Sequence, residues 1–226
     1  MFIGHYAAAF VAARLRKDDG PGLGALFLAA QAVDVGFFLL VAAGVEHARP
    51  NPSLSGIMPI DLHHMPYTHG LPATFAWMLA GAALAAALAP KGAKRAWALL
   101  IGLTVGSHWL ADLPVHRADL AMWDESWKVG FGLWDHPPVA IALELGVLAA
   151  ALFLFAPHAR LKGRLTILVG VLLVLQAINW FTPIGHGEAL GPNFVILPLI
   201  AFLGLAFLAS WADRPTGQVS SRARSA

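Results

Sequence analysis

The sequence predicts an all-α fold: a polytopic membrane helix bundle of six transmembrane helices with a short N-terminal helix docked against them. Three observations predict it. The 226 residues are 58% apolar and only 12% charged, with a mean hydropathy of +0.66, well outside the usual range of a soluble domain. Apolar stretches of bilayer length recur along the chain, interrupted by Pro, Gly and charge clusters. Basic residues fall mainly in alternate connections, 12 of the 15 on one side.

Taken in order, residues 2–13 are apolar but too short to cross a bilayer alone. Arg14, Arg16 and Lys17 follow this run, whereas a cleavable signal carries its charges first, so the segment is expected to be retained and docked. The spans are read at about residues 22–45, 71–90, 96–115, 138–157, 165–183 and 193–211. The run AGAALAAALA near residue 80 suits close helix packing, because small side chains let backbones approach. Residues 1–212 read as one membrane-embedded helical domain, and 213–226 as a polar, disordered cytoplasmic tail.

Basic residues stay on the cytoplasmic side. One set of connections holds Arg14, Arg16 and Lys17, then Lys91, Lys94 and Arg95, then Arg160, Lys162 and Arg164, with Arg214, Arg222 and Arg224 in the tail. The other side holds Arg49, Arg117 and Lys128. This asymmetry predicts a multi-pass protein of the cell inner (plasma) membrane with a cytoplasmic C-terminus. The connections 46–70, 116–137 and 184–192 then face the other side. The net charge of +2 comes from scattered loop residues, so no nucleic-acid partner is expected. The absence of cysteine leaves His, Asp and Glu as the plausible metal ligands.

Within 116–137, the spacing of Leu120, Trp123 and Trp127 predicts an amphipathic helix lying in the interface, with the indoles at headgroup depth. It would serve as an anchor or as a lid, with Gly130 and Gly132 as hinges.

The polar residues carry the functional signal. His108, Asp112 and His116 recur every four residues, and at about 100° per residue they share an arc of roughly 80° on one helix face. A lipid-facing helix has no use for such a stripe, since unpaired ionisable groups in a bilayer cost several kcal/mol. Asp34, Asp112 and Glu144 lie inside spans and need partners. His63, His64 and His69 precede the second long span, and His5 opens the N-terminal segment. His5, Asp34, His64, His69, His108 and Asp112 are therefore expected around one cavity in the outer half of the membrane. Neutral imidazoles with carboxylates suit zinc or a similar divalent ion, and water activated by such an ion makes hydrolysis the natural chemistry.

His5, His69, His108 and Asp112 are the leading ligands. Asp34 is a ligand or a carboxylate that orients one, and His64 a ligand or a proton donor to the leaving group. The roles of His116, beyond Pro114, of His136 and of Glu144 stay open. His63 reads as a solvated loop residue, His47, His158 and His186 as interface histidines, and Gln176 and Asn179 as interhelical hydrogen-bonding groups. A simpler account makes His108 and Asp112 a hydrogen-bonded pair that locks two spans together.

The elements His5 in GHYAAAF, Asp34 in QAVDVGFF, His64 and His69 in HMPYTH, and His108 and Asp112 in GSHWLAD resemble, in order and type, the YdjM-like membrane-bound metal-dependent hydrolases. The resemblance covers roughly residues 1–115. That family is distantly similar to zinc-dependent phospholipase C and P1-type nucleases, so the resemblance implies phosphoester hydrolysis on a membrane-embedded scaffold. Two positions depart from the family's pattern. Ala-Val-Asp-Val stands where members tend to have Pro-Asp-x-Asp, and Gly70 where they have Ser after Thr-His. With one carboxylate fewer, a single ion, or a site completed by Glu144 or His116, is expected.

The expected function is thus a membrane-embedded hydrolase acting on phosphoester or lipid-linked substrates from the bilayer. A divalent-metal or proton transporter is the alternative, because intramembrane Asp and His also relay ions. A noncatalytic scaffold that binds metal structurally is the third.

Overall fold

In the computed structural model the described residues are 2–51, 53–54, 56–159, 161–181 and 191–214. They form α1 (His5–Leu15), α2 (Leu23–Ala30), α3 (Ala32–Ala42), α4 (Leu71–Leu88), α5 (Lys94–Asp112), α6 (Pro137–Phe155), α7 (Lys162–Phe181) and α8 (Asn193–Asp213). Two small antiparallel hairpins occupy the long connections. β1 (His47–Pro50) pairs with β2 (Ile60–His64), and β3 (Leu120–Ala121) with β4 (Lys128–Val129).

Among the described residues, α4, α6, α7 and α8 are long and apolar enough to cross a membrane, and α2 with α3 makes a fifth crossing if the bent pair counts as one. The stretch expected at 96–115 is α5. Its 19 residues begin with Lys94 and Arg95 and end with the His108–Asp112 stripe, so its length suffices while its composition is more polar than that of its neighbours. Four or five apolar spans fit a membrane protein, and α4 covers α5 along its length.

The N-terminal helix is central. His5, Tyr6, Ala7, Ala9, Phe10, Ala12 and Ala13 are all buried, and α1 packs on α2, α5 and α6. Its alanines let the neighbouring backbones close in, while Tyr6 stacks on Phe27 at 4.4 Å and Phe10 meets Phe27 and Phe155 edge-on or tilted at 5.3 Å. Small residues matter likewise between α2 and α8, where a Cβ on Gly24 would fall 1.8 Å from Ser210 Oγ.

The continuous span expected over 22–45 is instead bent by 50° between α2 and α3. Gln31 leaves helical geometry (φ −107°, ψ 7°), and its buried amide donates to the Phe2 carbonyl at 3.2 Å. A side chain that bonds outside its own helix is an ordinary cause of such a kink.

The interfacial helix expected within 116–137 is absent; the segment there is the β3–β4 hairpin. The carboxylate of Asp124 accepts from the Ser126 amide at 2.9 Å and from its hydroxyl at 2.5 Å, a local turn that competes with helix. Met122 N–H then closes the hairpin on the Trp127 carbonyl. Leu120 is fully buried, while Trp123 and Trp127 are 77% and 60% exposed, so the indoles do project outward. Gly130 is required: with φ 154°, a Cβ there would lie 1.8 Å from the Arg117 carbonyl oxygen.

At the other end of the bundle, Arg16 pairs with Asp213, whose carboxylate also accepts the Leu23 amide at 3.0 Å. Arg164 donates to the Trp211 carbonyl at 3.0 Å and lies over the same indole. Asp213 closes α8, and the tail from residue 215, like His186, lies outside the described residues.

Candidate metal centre

Six side chains from five segments converge where α1 begins and α5 ends. His108 and Asp112 stand one turn apart on α5 and His116 follows just after it; His5 opens α1, Asp34 lies in the first turn of α3, and His69 precedes α4. Asp112 is the hub. One carboxylate oxygen is 3.1 Å from His5 Nε2 and 3.6 Å from His116 Nε2, and the other is 3.2 Å from His108 Nε2 and 3.7 Å from His69 Nε2. Asp34 Oδ1 lies 3.3 Å from His69 Nε2 and 3.5 Å from His108 Nε2. The rings of His5 and His108 are stacked at 3.7 Å.

The outward faces of the imidazoles set their tautomers. His108 Nδ1 lies 3.0 Å from the carbonyl of Ala30, which can only accept, so this nitrogen carries the proton. In an unbroken helix that carbonyl would accept from residue 34; the bend at Gln31 turns it to the histidine. His116 Nδ1 likewise faces Asp119 Oδ1 at 2.9 Å. His69 Nδ1 faces Thr68 Oγ1 at 2.8 Å, and the Thr68 hydroxyl donates its proton to Glu46 Oε2 at 2.7 Å, leaving its oxygen to accept from His69. Buried Glu46 is held in turn by the amides of Tyr67 and Thr68. With Nδ1 committed outward, all three rings turn Nε2 towards the carboxylates, as a lone pair in the neutral ring and as an N–H in the imidazolium.

Each such contact needs a cation between nitrogen and oxygen, either a proton on Nε2 or a metal ion held by both groups. A tetrahedral ion with bonds of about 2.0–2.1 Å keeps its donor atoms about 3.3–3.4 Å apart. The observed separations of 3.1 to 3.7 Å bracket that value. Three groups among the described residues can hold a metal ion: His5, His108 and Asp112; Asp34, His69 and His108; and His69, Asp112 and His116, with ligand atoms within 4.8 Å of one another in each. His5 Nδ1 is buried without a hydrogen-bond partner among the described residues, while His5 Nε2 and His108 Nε2 face only carboxylate oxygens.

Of the residues singled out from sequence, His5, Asp34, His69, His108 and Asp112 are brought together. His64 is not. It sits on the exposed end of β2, where Nδ1 meets Glu125 Oε2 at 2.6 Å, and β-pairing of its strand with β1 directs it to the hairpin surface. His116, left open by the sequence, joins the centre, since the chain continues one more turn past Asp112 with His116 N–H bonded to the Asp112 carbonyl. Glu144 is buried but accepts the Phe2 amide at 3.2 Å, and His136 is exposed at the start of α6. His63 and His47 are exposed on the β1–β2 hairpin, and His158 caps a carbonyl after α6. Glu46, Thr68 and Asp119 were missed; a carboxylate that acts through another side chain leaves no helical periodicity to read.

A cavity of about 380 Å³ opens beside the centre and is lined by Asp34, His69, His116 and Glu144. A second, of about 480 Å³, lies at the far end among Arg14, Arg16, Lys17 and Asp213, away from these groups. No family model, curated protein or solved structure matches the chain.

Proposed function

We propose that this protein is a membrane-embedded, metal-dependent hydrolase of phosphoesters, with zinc or a similar divalent ion held by His5, His69, His108, His116 and Asp112. The observation that carries this reading is the set of three Nδ1-protonated imidazoles whose Nε2 atoms face carboxylate oxygens at 3.2 to 3.7 Å. A bound divalent ion would supply a more acidic water and a sink for charge developing on phosphoryl oxygen. The protein's groups divide the remaining work. Asp112 holds four imidazoles in register, and Ala30, Asp119 and the Thr68–Glu46 pair fix their rings. Asp34, at 19% the most exposed of the six, lines the cavity. Its carboxylate accepts a proton as water oxygen attacks phosphorus, and returns it to the departing alcohol oxygen as the ester bond breaks.

The order of the ligand residues supports kinship with the YdjM-like hydrolases, and the basic far end supports an orientation with that end in the cytoplasm and the centre towards the opposite face. Transport is less well supported. A conducting path needs polar groups through the bundle, whereas Phe10, Phe27, Leu148, Leu168, Leu172 and Leu205 fill the core towards the basic end.

The test is to purify the protein in detergent, quantify bound metal, and assay phosphodiester and phospholipid hydrolysis beside metal flux into liposomes. Stoichiometric metal with turnover abolished by chelation supports the hydrolase. Metal-dependent flux without turnover overturns it in favour of transport.

A further inference from the structure

The cavity beside the centre has two chemically different ends. Asp34, His69, His116 and Glu144 bring ionisable groups to one, Asn179 and Asn193 add amides on α7 and α8, and the remainder is mainly apolar, lined by Phe37, Phe38, Leu175, Ile178, Leu197 and Phe202 among others. Its volume of about 380 Å³ falls in the range of roughly 300–1,000 Å³ typical of small-molecule sites.

Where it opens follows from the packing of α7 and α8. The buried residues of α7 are Leu165, Leu168, Leu172 and Gln176, and those of α8 are Phe202, Leu205, Ala206, Ala209 and Ala212. Between Gln176 and the end of α7, and between the start of α8 and Phe202, no residue of either helix is buried, and there the cavity begins. Pro198 lies in that part of α8 and, lacking an N–H, cannot satisfy the Phe194 carbonyl. Ile178 and Leu197 line the cavity and are nevertheless 54% and 60% exposed. Both α7 and α8 are of membrane-crossing length and composition, so surface between them meets hydrocarbon. At the inner end Met65, Phe37 and Trp134 are at most 4% exposed.

We infer that this cavity is an acyl-chain site: a lipid phosphoester enters sideways from the bilayer between α7 and α8, its chain against Phe37, Phe38 and Phe202 and its phosphoester at Asp34, His69 and His116. The assignment of the lipid as substrate rests on the hydrolase reading above; the assignment of the cavity as its binding place does not. A soluble phosphoester has no use for an apolar passage opening on the hydrocarbon flank, whereas a bilayer lipid reaches the centre without leaving the membrane.

The test uses the full chain in vesicles of phosphatidylethanolamine and phosphatidylglycerol, with a trace of phosphatidylglycerol carrying a diazirine within its acyl chain. Adducts on Met65, Phe37 or Trp134 are expected, because lipid that merely surrounds the protein cannot reach them. Ala201→Trp, which fills the passage, should remove those adducts while leaving adducts on the outer face of α8. It should also lower the ratio of long-chain to short-chain phosphoester turnover by about tenfold or more, as overfilling a packed site does. Ile178→Trp at the mouth serves the same purpose if the first variant does not fold. Adducts confined to outward residues, or an unchanged substrate ratio in both variants, would overturn the acyl-chain site. Inner adducts in a protein that hydrolyses neither substrate would keep the site and overturn the hydrolase.

Discussion

His108 Nδ1 donates to the carbonyl of Ala30, 3.0 Å away, across the break between α2 and α3. The bend that frees this carbonyl also sets Asp34 in the first turn of α3, where its Oδ1 lies 3.5 Å from the other nitrogen of the same ring. One backbone irregularity therefore fixes a tautomer and delivers a carboxylate to it.

Replacing the hub should empty the centre. Asp112 faces four imidazoles, so Asp112→Asn removes the charge that balances a cation, and His108→Ala removes a donor common to two of the candidate ligand groups. Loss of an outer hydrogen-bond partner typically costs 10–100-fold in metal affinity. Loss of either group here should cost more, and bound metal measured after chelator competition checks it. Stoichiometric metal in both variants would refute the ligand set.

Thr68→Val should lower metal affinity by about 10–100-fold and Thr68→Ser should restore it, because the hydroxyl orients His69 while it is itself committed to Glu46. Glu46→Gln should fall between wild type and Thr68→Val, since the amide can still accept the Thr68 proton through its oxygen. Competition titration separates the three. Equal affinity in Thr68→Val and wild type would mean that His69 is oriented by packing alone.

The i, i+4 stripe on α5 was legible because helical periodicity converts spacing directly into a shared face, and His5, Asp34 and His69 were legible as ionisable groups in or beside apolar segments. The bend at Gln31 was not, since neither Pro nor Gly marks it and its cause is a bond to Phe2, remote in sequence. His64 was misplaced for a related reason. Its distance along the chain from α4 suited a ligand, but strand pairing with β1, invisible to local pattern, holds it at the hairpin surface beside Glu125. Leu120, Trp123 and Trp127 had helical spacing, and the Asp124–Ser126 turn overrode it.

Close approach of α2 and α8 depends on Gly24. A Cβ there would sit 2.6 Å from the Ala206 carbonyl oxygen as well as against Ser210, and backbone cannot yield as a side chain can. Gly24→Ala should destabilise the bundle by about 1–3 kcal/mol. Thermal unfolding in detergent should show a lowered midpoint, and Gly24→Ala combined with Ser210→Ala should not recover it, because the clash with the Ala206 carbonyl remains.

The β3–β4 hairpin is tied to β2 by Glu125, which meets His64 at 2.6 Å and Lys128 at 3.3 Å, while Lys128 also donates to the His63 carbonyl. Slight burial pushes the Glu125 carboxyl up, but the hydrogen bonds from His64 and Lys128 outweigh it and hold the group below its ordinary value of 4.5. A depressed carboxylate contributes stability above its unfolded value and loses it as pH falls through the folded one. The tie is therefore intact near neutrality and fades below about pH 4. Because Glu125 is 37% exposed, the contribution is at most about 1 kcal/mol. Amide exchange over residues 120–129, corrected for intrinsic rate, should be faster in Glu125→Gln than in wild type at pH 6. The difference should shrink as pH falls below the carboxyl's ordinary value and the wild-type side chain takes up a proton. Metal content should not change at pH 6, since none of the contacts of Glu125 is with the six converging side chains. A difference in exchange that does not shrink as the solution is acidified would show that the side chain acts through its shape and not its charge.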